Sequence, residues 1–331
     1  LLTLLFGLGF AVQLLRADRR GEDARRLYLR RMLVLLLIGV SHATFLWWGD
    51  VTWTYAVTGL LLIPFVRRSD RTLLIWAAVL FLVPLLVMRI PEVFRAVMQV
   101  MPHPEDRGAF HGEVLSAMRG TDHGALVSAH VSQLVFHISA IAGWYFPWLL
   151  AHFLVGFYLG RRRVFDGEGA GHLRGFWIAL AIGIALTLAG TAVFLIVGPV
   201  GWSELSLPTR LAIVLAGELA TVGQTAAYVA IVVLLMQRRL ARRALMVLAP
   251  VGRMPLSTYL SQSVLASFVF FGWGLGLAGE VGPAGRLATA LGLFALQVAI
   301  AHLWLRRFRY GPVEWLWRAL IYGRAATRAA R

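Results

Sequence analysis

The chain has 331 residues, of which 59% are hydrophobic and 15% are charged, and its mean hydropathy is +0.73. Soluble domains average about 45–50% apolar and about 25% charged residues, so this composition excludes an ordinary soluble protein and predicts a membrane protein. The net charge of +16 lies mainly in particular loops, which makes it a topology signal rather than a sign of nucleic-acid binding. The absence of cysteine excludes disulfides, thiolate metal sites and a cysteine nucleophile.

Nine apolar stretches predict an all-α, polytopic membrane helix bundle, because about 20 apolar residues cross the roughly 30 Å hydrocarbon core. In chain order they are residues 1–15, 32–49, 51–66, 72–90, 134–160, 175–197, 209–236, 254–279 and 287–305. The first and third are short for a full crossing. Because the chain starts inside an apolar stretch without an initiator Met, we expect further N-terminal residues in the intact protein.

The loops between the predicted spans alternate between Arg-rich and Arg-poor. For nine spans, the positive-inside rule places every Arg-rich loop and the C-terminus in the cytoplasm. These loops are residues 16–31, 67–71, 161–174 and 237–253, and the tail from Arg306. The alternation predicts one transmembrane helical domain over residues 1–331.

Two segments outside the predicted spans are expected to lie on the membrane surface. The outer segment 91–133 contains two short amphipathic stretches, PEVFRAVMQVM at 91–101 and GEVLSAMRG at 112–120. The C-terminal tail 306–331 combines tryptophans with arginines, which is typical of an interfacial helix, here on the cytoplasmic face.

Five polar side chains from five predicted spans are expected near one level, at depths of about 12–15 Å along their helices. They are His42, His152, Glu218, Gln262 and Gln297. Polar and ionisable groups inside a membrane are costly and usually mark function, so this level is predicted to be a hydrated or ligand-binding centre. The alternative is that the His and Gln side chains only join neighbouring helices by hydrogen bonds.

Glu218 is the strongest of these candidates, because a carboxylate is the hardest group to explain as a helix–helix contact. Thr221, Thr225 and Tyr228 follow it at positions i+3, i+7 and i+10 and share its helix face. This stripe indicates a polar interior wall. A protonated Glu218 that is hydrogen-bonded to a neighbour is the alternative.

The eighth predicted span opens with PVGRMPLSTYLSQS. Ser257 and Ser261 are four residues apart, as are Thr258 and Gln262, which predicts a polar helix face inside the protein. Arg253 stands beside the start of this helix, where backbone N–H groups favour an anion. It is therefore predicted to hold a phosphate, while anchoring lipid head groups is the alternative that we favour.

Three histidines recur every seven residues, at His123, His130 and His137. On a helix, residues seven apart lie about 10 Å apart along the axis, too far to share a metal ion with ligands at about 2 Å. We therefore interpret them as surface or interfacial histidines and predict no metal site.

Four stretches carry a family resemblance: LLFGLGFAVQL at 4–14, LLIGVSHATFLWWGD at 36–50, APVGRMPLSTYLSQS at 249–263 and RRFRYGPVEWLWRALIYG at 306–323. Together they resemble the YeiB-like bacterial membrane protein family, the domain of unknown function numbered 418. The resemblance covers essentially the whole chain and implies a multi-pass protein of the bacterial inner (plasma) membrane. Members usually begin with one more span, which implies about ten spans in the intact protein.

The family is distantly similar to transmembrane acyltransferases that modify extracytoplasmic sugars, such as the lysosomal heparan acetyltransferase and the glucan succinylation protein. That similarity implies an acyl donor such as acyl-CoA on the cytoplasmic side and a glycan or lipid acceptor on the outer side, among membrane lipids. No catalytic residue carries over by motif.

The first hypothesis for function is a membrane acyltransferase in which His42 is the general base and Glu218 the carboxylate that orients it. Asp50 lies about 12 Å from His42 on a straight helix, so their contact needs a kink at Trp48–Gly49 or a water. We expect Asp50 at the outer surface, without a special role. The predicted substrate-binding residues are His152, Tyr228, Arg253, Ser261, Gln262 and Gln297.

The second hypothesis is a transporter or lipid-handling protein without catalysis, because transporters place polar sites near the midplane. The sequence shows no internal repeat of the kind that many transporters have, which argues against it. A structural membrane protein is the third hypothesis, and the number of polar residues at one depth argues modestly against that. The oligomeric state is not predicted.

Overall fold

The computed structural model describes residues 1–21, 23–83, 104–197 and 205–322, and this part of the chain forms helices and turns without a strand. The predicted all-α class is therefore confirmed. The α-helices are α1 (Leu2–Arg20), α2 (Ala24–Phe45), α3 (Thr52–Leu60), α4 (Asp70–Phe81), α5 (Pro104–Arg119), α6 (His123–Arg161), α7 (Leu173–Val197), α8 (Leu207–Met236), α9 (Arg239–Met246), α10 (Ala249–Arg253), α11 (Pro255–Phe270), α12 (Pro283–Arg307) and α13 (Pro312–Tyr322).

The chain divides into two compact units. Unit 1 comprises Leu1–Ala24, Leu61–Met98 and Ala142–Leu245, and unit 2 comprises Arg25–Leu60, Gln99–Ile141 and Met246–Arg331. Helix α6 begins in unit 2 and ends in unit 1. The single domain over residues 1–331 stays a prediction.

Four helices of the described part, α2, α7, α8 and α12, are long and apolar enough to cross a membrane. Many large apolar side chains on them are exposed, for example Leu188 at 65% on α7 and Leu303 at 63% on α12. Water would disfavour such surfaces, so these helices support a membrane protein. The nine spans and the cytoplasmic C-terminus stay predictions.

Several predicted span boundaries are wrong. Helix α2 ends at Phe45 because the chain turns there, before the predicted end at residue 49. The stretch 51–66 is not one helix, since α3 has nine residues, about 14 Å of axial length, and a short 3₁₀ turn follows at Ile63–Phe65. Helix α11 ends at Phe270 rather than at residue 279.

The predicted outer segment is only partly outside the helical spans. Helix α6 begins at His123, so the last part of the segment 91–133 belongs to a long continuous helix. The amphipathic stretch 112–120 lies mainly in α5, whereas the stretch 91–101 lies outside the described residues. The end of the predicted fourth span, beyond residue 83, lies outside them as well.

In unit 1, small residues allow close helix contacts. A Cβ at Gly7 of α1 would collide with the Phe153 backbone of α6, and one at Gly156 would collide with the Leu4 backbone. Helices α7 and α8 pair in the same way, where the backbones meet at Gly183. Close backbone approach through small residues is a common way for membrane helices to associate, and here it fixes the positions of α6 and α8.

In unit 2, α3 folds back against α2, and α13 packs against both α2 and α11. Gly39 of α2 has no room for a Cβ because of the Trp53 backbone of α3, and the Tyr28 hydroxyl donates to the Gly59 carbonyl at 3.0 Å. The guanidinium of Arg31 on α2 lies 4.4 Å from the ring centre of Trp317 on α13. These contacts place the end of α2, the start of α3 and α11 in one compact unit.

The packing of α1 on α6 predicts opposite effects for two glycines of the same helix. Gly7→Ala should lower the free energy of unfolding by about 1–3 kcal/mol, because the added methyl overpacks a close backbone contact. The measurement is thermal or denaturant unfolding of the purified protein in detergent.

Gly9→Ala is the matched control, because a Cβ at Gly9 meets nothing within 4 Å and alanine favours the helix. It should leave stability unchanged or raise it. Equal destabilisation by both substitutions would contradict the close packing of α1 on α6.

Candidate functional site

A tight turn in unit 2 brings Asp50 back to His42. After α2 ends, the N–H groups of Leu46 and Trp47 both donate to the His42 carbonyl, at 3.0 and 2.9 Å, and the Asp50 N–H donates to the Trp47 carbonyl at 3.2 Å. The Asp50 carboxylate thereby lies 2.7 Å from Nδ1 of His42. Both residues are only 3% exposed, so this is a buried histidine–carboxylate pair.

The Asp50 carboxylate accepts five hydrogen bonds from described residues. Its Oδ1 accepts from the backbone N–H groups of Thr52 and Trp53, the first two residues of α3, at 2.7 and 3.1 Å. Its Oδ2 accepts from the Thr52 hydroxyl at 3.0 Å, the Tyr259 hydroxyl at 2.9 Å and His42 Nδ1 at 2.7 Å. An ionised carboxylate is an acceptor only and suits such a set of donors, which offset its desolvation.

The second ring nitrogen of His42 is left without a partner. Nε2 is buried and makes no hydrogen bond within the described part of the chain. In a neutral ring, a carboxylate acceptor at Nδ1 favours the tautomer with the proton on Nδ1, which leaves a lone pair on Nε2. A carboxylate that fixes this tautomer is the arrangement by which a histidine is prepared to accept a proton at Nε2.

Tyr259 of α11 completes the cluster. Its ring centre lies 5.2 Å from that of His42, and its hydroxyl donates to Asp50. The Tyr259 side chain also lines a cavity of about 640 Å³ in unit 2. The cluster therefore joins α2, the start of α3 and α11, and one of its members reaches a space that a ligand can fill.

The histidines of α6 are not all at the surface. His130 is fully buried, its Nδ1 donates to the Thr44 carbonyl at 3.3 Å, and its Nε2 has no hydrogen-bond partner among the described residues. The interpretation of His130 as a surface or interfacial residue is therefore wrong. His137 is partly buried against the Trp48 ring, at 5.5 Å between centres, whereas His123 is exposed.

Two expectations about Asp50 are corrected by this geometry. Asp50 is buried within the protein, so its charge is not the inexpensive one that was expected, and it touches His42 directly. Its level in the membrane stays a prediction. The 12 Å estimate assumes that α2 continues straight to residue 50, but the helix ends at Phe45 and the turn reverses the chain. The geometric argument that favours Glu218 over Asp50 as the partner of His42 is therefore wrong, although a catalytic role for Glu218 stays a prediction.

Glu218 and His152 meet in unit 1, through Trp148. The Trp148 indole N–H donates to Oε2 of Glu218 at 2.6 Å, and His152 Nδ1 donates to the Trp148 carbonyl at 2.9 Å. His152 is 5% exposed and lies against the ring of Phe81, at 4.8 Å between centres. The structure thus brings two predicted site residues together.

The polar stripe predicted on α8 is not an interior wall along its whole length. Tyr228 is 50% exposed, and Thr221 is exposed and donates to the Gly217 carbonyl of its own helix at 2.9 Å. Thr225 is partly buried and lines a cavity with His152. The stripe lies on a helix, as its spacing predicts. However, the face of α8 that packs against α7 is narrower than the stripe, so Thr221 and Tyr228 remain exposed.

The predicted polar residues of α11 and α12 divide into a helix contact and a cavity residue. Gln297 is 4% exposed, and its amide donates to the Thr258 carbonyl at 2.8 Å and to the Ser261 hydroxyl at 3.1 Å. This is the helix-joining alternative. Gln262 is exposed and lines the same cavity as Tyr259, so it keeps a candidate role in binding.

The start of α11 is already matched to an anion from the same chain. The Ser257 N–H donates to Oε1 of Glu314 at 3.0 Å, and the Ser257 hydroxyl donates to Oε2 of the same carboxylate. One N–H group of the predicted phosphate site is thus already bonded to the Glu314 carboxylate. Arg253 is exposed, and its contact with a phosphate or a lipid head group stays a prediction.

The sequence carries a signal for Asp50 that hydropathy alone misses. An aspartate just before an apolar run, as in WGDVTWTYAV, is a helix-start signal, and it predicts both the end of α2 and the buried cap of α3. Tyr259 has no comparable signal, because its bond to Asp50 spans 209 residues. The sequence carries no comparable signal for His130 either, because its burial is visible only in the structure.

Helices of membrane length and a buried histidine–carboxylate pair define the chain as an all-α protein of the membrane type with a candidate acid–base centre. The family model described as "Protein of unknown function (DUF418)" matches residues 159–324, half of the chain. The chain belongs to this family, as its resemblance predicts. Tyr259 lies inside the matched range, and His42 and Asp50 precede it.

Three curated relatives align with almost the whole chain. The uncharacterised protein YxaH of Bacillus subtilis (strain 168) is 29% identical over 336 residues, which cover 97% of this chain and 78% of YxaH. The uncharacterised protein YeiB of Escherichia coli (strain K12) is 27% identical over 332 residues, 97% of this chain and 80% of YeiB. An uncharacterised 39.9 kDa protein of Bacillus acidopullulyticus is 26% identical, with coverage of 97% and 79%. No solved structure matches the chain.

The cluster predicts that Asp50→Asn destabilises the protein. The amide would place an N–H₂ group against donors from His42, Thr52 and Tyr259, so we expect the free energy of unfolding to fall by about 1.5–3 kcal/mol, the range for hydrogen bonds to charged groups. Unfolding in detergent, followed by near-ultraviolet circular dichroism, measures this loss.

Asp122→Asn is the matched control. Asp122 also accepts from the backbone N–H groups two and three residues later, at 2.7 and 3.3 Å, but it is exposed and its carboxylate has no other partner among the described residues. It should change stability by no more than about 0.5 kcal/mol. Equal effects of the two substitutions would show that Asp50 is only a helix cap.

Proposed function

We propose that the protein is a multi-pass acyltransferase of the bacterial inner membrane, which moves an acyl group from a cytoplasmic donor to an extracytoplasmic acceptor. Nine spans in this chain and a cytoplasmic C-terminus belong to the proposal. The Arg-rich loops and the four helices of membrane length support it.

One observation carries the proposal: His42 Nδ1 is bonded to the Asp50 carboxylate while the buried Nε2 has no partner among the described residues. A purely structural histidine normally satisfies both nitrogens, because an unpaired buried polar atom costs about 1–3 kcal/mol. That cost is explained if Nε2 is kept free for a substrate. In this proposal Asp50 replaces Glu218 as the residue that orients the base.

In the proposed reaction, His42 Nε2 takes the proton of the acceptor hydroxyl as the hydroxyl oxygen attacks the carbonyl carbon of the acyl donor. With an acyl-CoA donor, a C–O bond forms, the C–S bond breaks, and the leaving thiolate takes the proton from the imidazolium. Asp50 holds the ring and stabilises the imidazolium while it exists. Tyr259 lines the neighbouring cavity, and its ring centre lies 5.2 Å from that of His42. In this proposal the acceptor binds in that cavity, and the buried Nε2 must open towards it for the proton to be transferred.

A lipid-handling protein without catalysis is the second candidate, and a cavity in unit 1 is compatible with it. This cavity of about 410 Å³ is lined almost entirely by apolar side chains, including Phe81, Phe165 and Phe176, with His152 among them. An apolar space of this kind suits an acyl chain or a lipid tail. It fits both functions, so only chemistry at His42 separates them.

Acylation in cells tests the role of His42. His42→Asn keeps an N–H donor for Asp50 but removes the free ring nitrogen, so the protein should still insert and fold while acyl transfer falls by about 10²-fold or more, the usual contribution of a general base. The measurement is comparative mass spectrometry of lipids and glycans from a deletion strain that carries each variant.

His123→Asn is the control, because His123 is an exposed histidine, and it should restore wild-type acylation. Glu218→Gln in the same strain shows whether that residue contributes. Full acylation with His42→Asn would refute the assignment of the base. A deletion strain with unchanged acylation and an altered lipid distribution between the leaflets would favour lipid handling.

A further inference from the structure

The cavity of about 640 Å³ in unit 2 adjoins the His42–Asp50 pair. Tyr259 links the two, because its side chain lines the cavity while its hydroxyl donates to Asp50. Gly49 and Val51, which flank Asp50 in the turn, line the cavity as well. A molecule in this cavity therefore lies against the turn that carries the carboxylate.

One wall of the cavity is fixed by hydrogen bonds between residues that are far apart in the sequence. The Gly272 N–H, just after α11, donates to the Met118 carbonyl of α5 at 2.7 Å. The Arg119 side chain donates to the Ala278 carbonyl at 2.8 Å and to Glu280 at 2.7 Å. Met118 and Ala278 both line the cavity, so these hydrogen bonds fix part of its wall.

The described lining contains one charged side chain, Arg286. Its guanidinium has no hydrogen-bond or ion-pair partner among the described residues, and it is exposed on the first turn of α12. A cation is disfavoured near a helix N-terminus, so this arginine does not stabilise α12. An anion in the cavity would give it a partner.

The other polar lining groups suit hydroxyls. The Gln262 amide both donates and accepts, and the Ser263 hydroxyl does the same. Trp47 is 37% exposed and adds an aromatic surface with an indole N–H donor. A neutral acceptor would leave Arg286 unpaired, and a cationic acceptor would be repelled by it.

We propose that this cavity binds the acceptor of the transfer reaction and that the acceptor is an anionic polyol, a hydroxyl-rich group that carries a phosphate or carboxylate. The Arg286 guanidinium pairs with the anion, Gln262 and Ser263 bind hydroxyls, and one hydroxyl lies on the Tyr259 side, towards His42. This inference rests on the proposed function. The anionic polyol is either a lipid head group or a soluble glycan unit.

Binding to the full chain, measured without an acyl donor, tests the inference. Isothermal titration of the purified protein in nanodiscs uses glycerol 1-phosphate, with glycerol and inorganic phosphate as partial probes. Glycerol 1-phosphate should bind the wild type, and Arg286→Gln should weaken it by about tenfold or more, the loss expected for a hydrogen bond to a charged group. Arg174→Gln, at an exposed arginine in the first turn of α7, makes the same charge change and should bind normally.

Gln262→Leu separates the two halves of the ligand. It should weaken glycerol 1-phosphate and leave the affinity for inorganic phosphate unchanged, because only the polyol loses a partner. Nanodiscs of phosphatidylglycerol and of phosphatidylcholine separate the sources. A lipid head group as the ligand predicts that phosphatidylglycerol displaces the soluble probe, and a soluble glycan unit predicts equal binding in both.

The inference is overturned if glycerol 1-phosphate does not bind the wild type in phosphatidylcholine nanodiscs, or if Arg286→Gln binds it equally well there. Inorganic phosphate that binds as tightly as glycerol 1-phosphate would overturn the polyol assignment. These outcomes do not involve acyl transfer, so the dependence of acylation on His42 can stand when they fail. Conversely, specific binding with no His42-dependent acylation would refute the proposed function alone.

Discussion

The buried Asp50 carboxylate is the constraint on which the architecture of unit 2 depends. An isolated buried charge costs several kcal/mol, and Asp50 avoids that cost by accepting five hydrogen bonds from His42, Thr52, Trp53 and Tyr259. To supply them, α2 must end at Phe45, α3 must begin at Thr52, two residues after Asp50, and α11 must lie alongside. One charge thus specifies a helix end, a helix start and a tertiary contact.

The proposed function rests on the place where this set of bonds is incomplete. Each donor group that faces Asp50 is paired with its carboxylate. The Nε2 atoms of His42 and His130, in contrast, are buried and have no hydrogen-bond partner among the described residues. Buried polar atoms are rarely left unpaired, and each one needs an explanation, of which a catalytic role is one. The cavity beside Tyr259 has the unpartnered Arg286 in its lining. We therefore propose an anionic substrate for the site that contains His42.

The sequence predicts the parts of the fold that depend on local composition. Apolar runs identify the helices because lipid-exposed and buried helix faces are both apolar, and His42 is recognised because an ionisable residue interrupts such a run. The pairing of His42 with Asp50 is not predicted by helix arithmetic, since that arithmetic assumes a straight helix through a turn. Anion sites at helix starts cannot be predicted from local sequence alone. At the start of α11 the N–H group of Ser257 is taken by Glu314, which lies 57 residues away in the chain.

The tautomer of His42 decides whether Asp50 prepares this histidine to act as a base. Nitrogen NMR of the protein labelled with ¹⁵N-histidine, with the His42 signals assigned by their loss in His42→Asn, reports which ring nitrogen carries the proton. If Asp50 prepares His42 as a base, we expect a proton on Nδ1, which lies 2.7 Å from the Asp50 carboxylate, and an unprotonated Nε2. A proton on Nε2 of the resting protein would contradict His42 as a base prepared by Asp50.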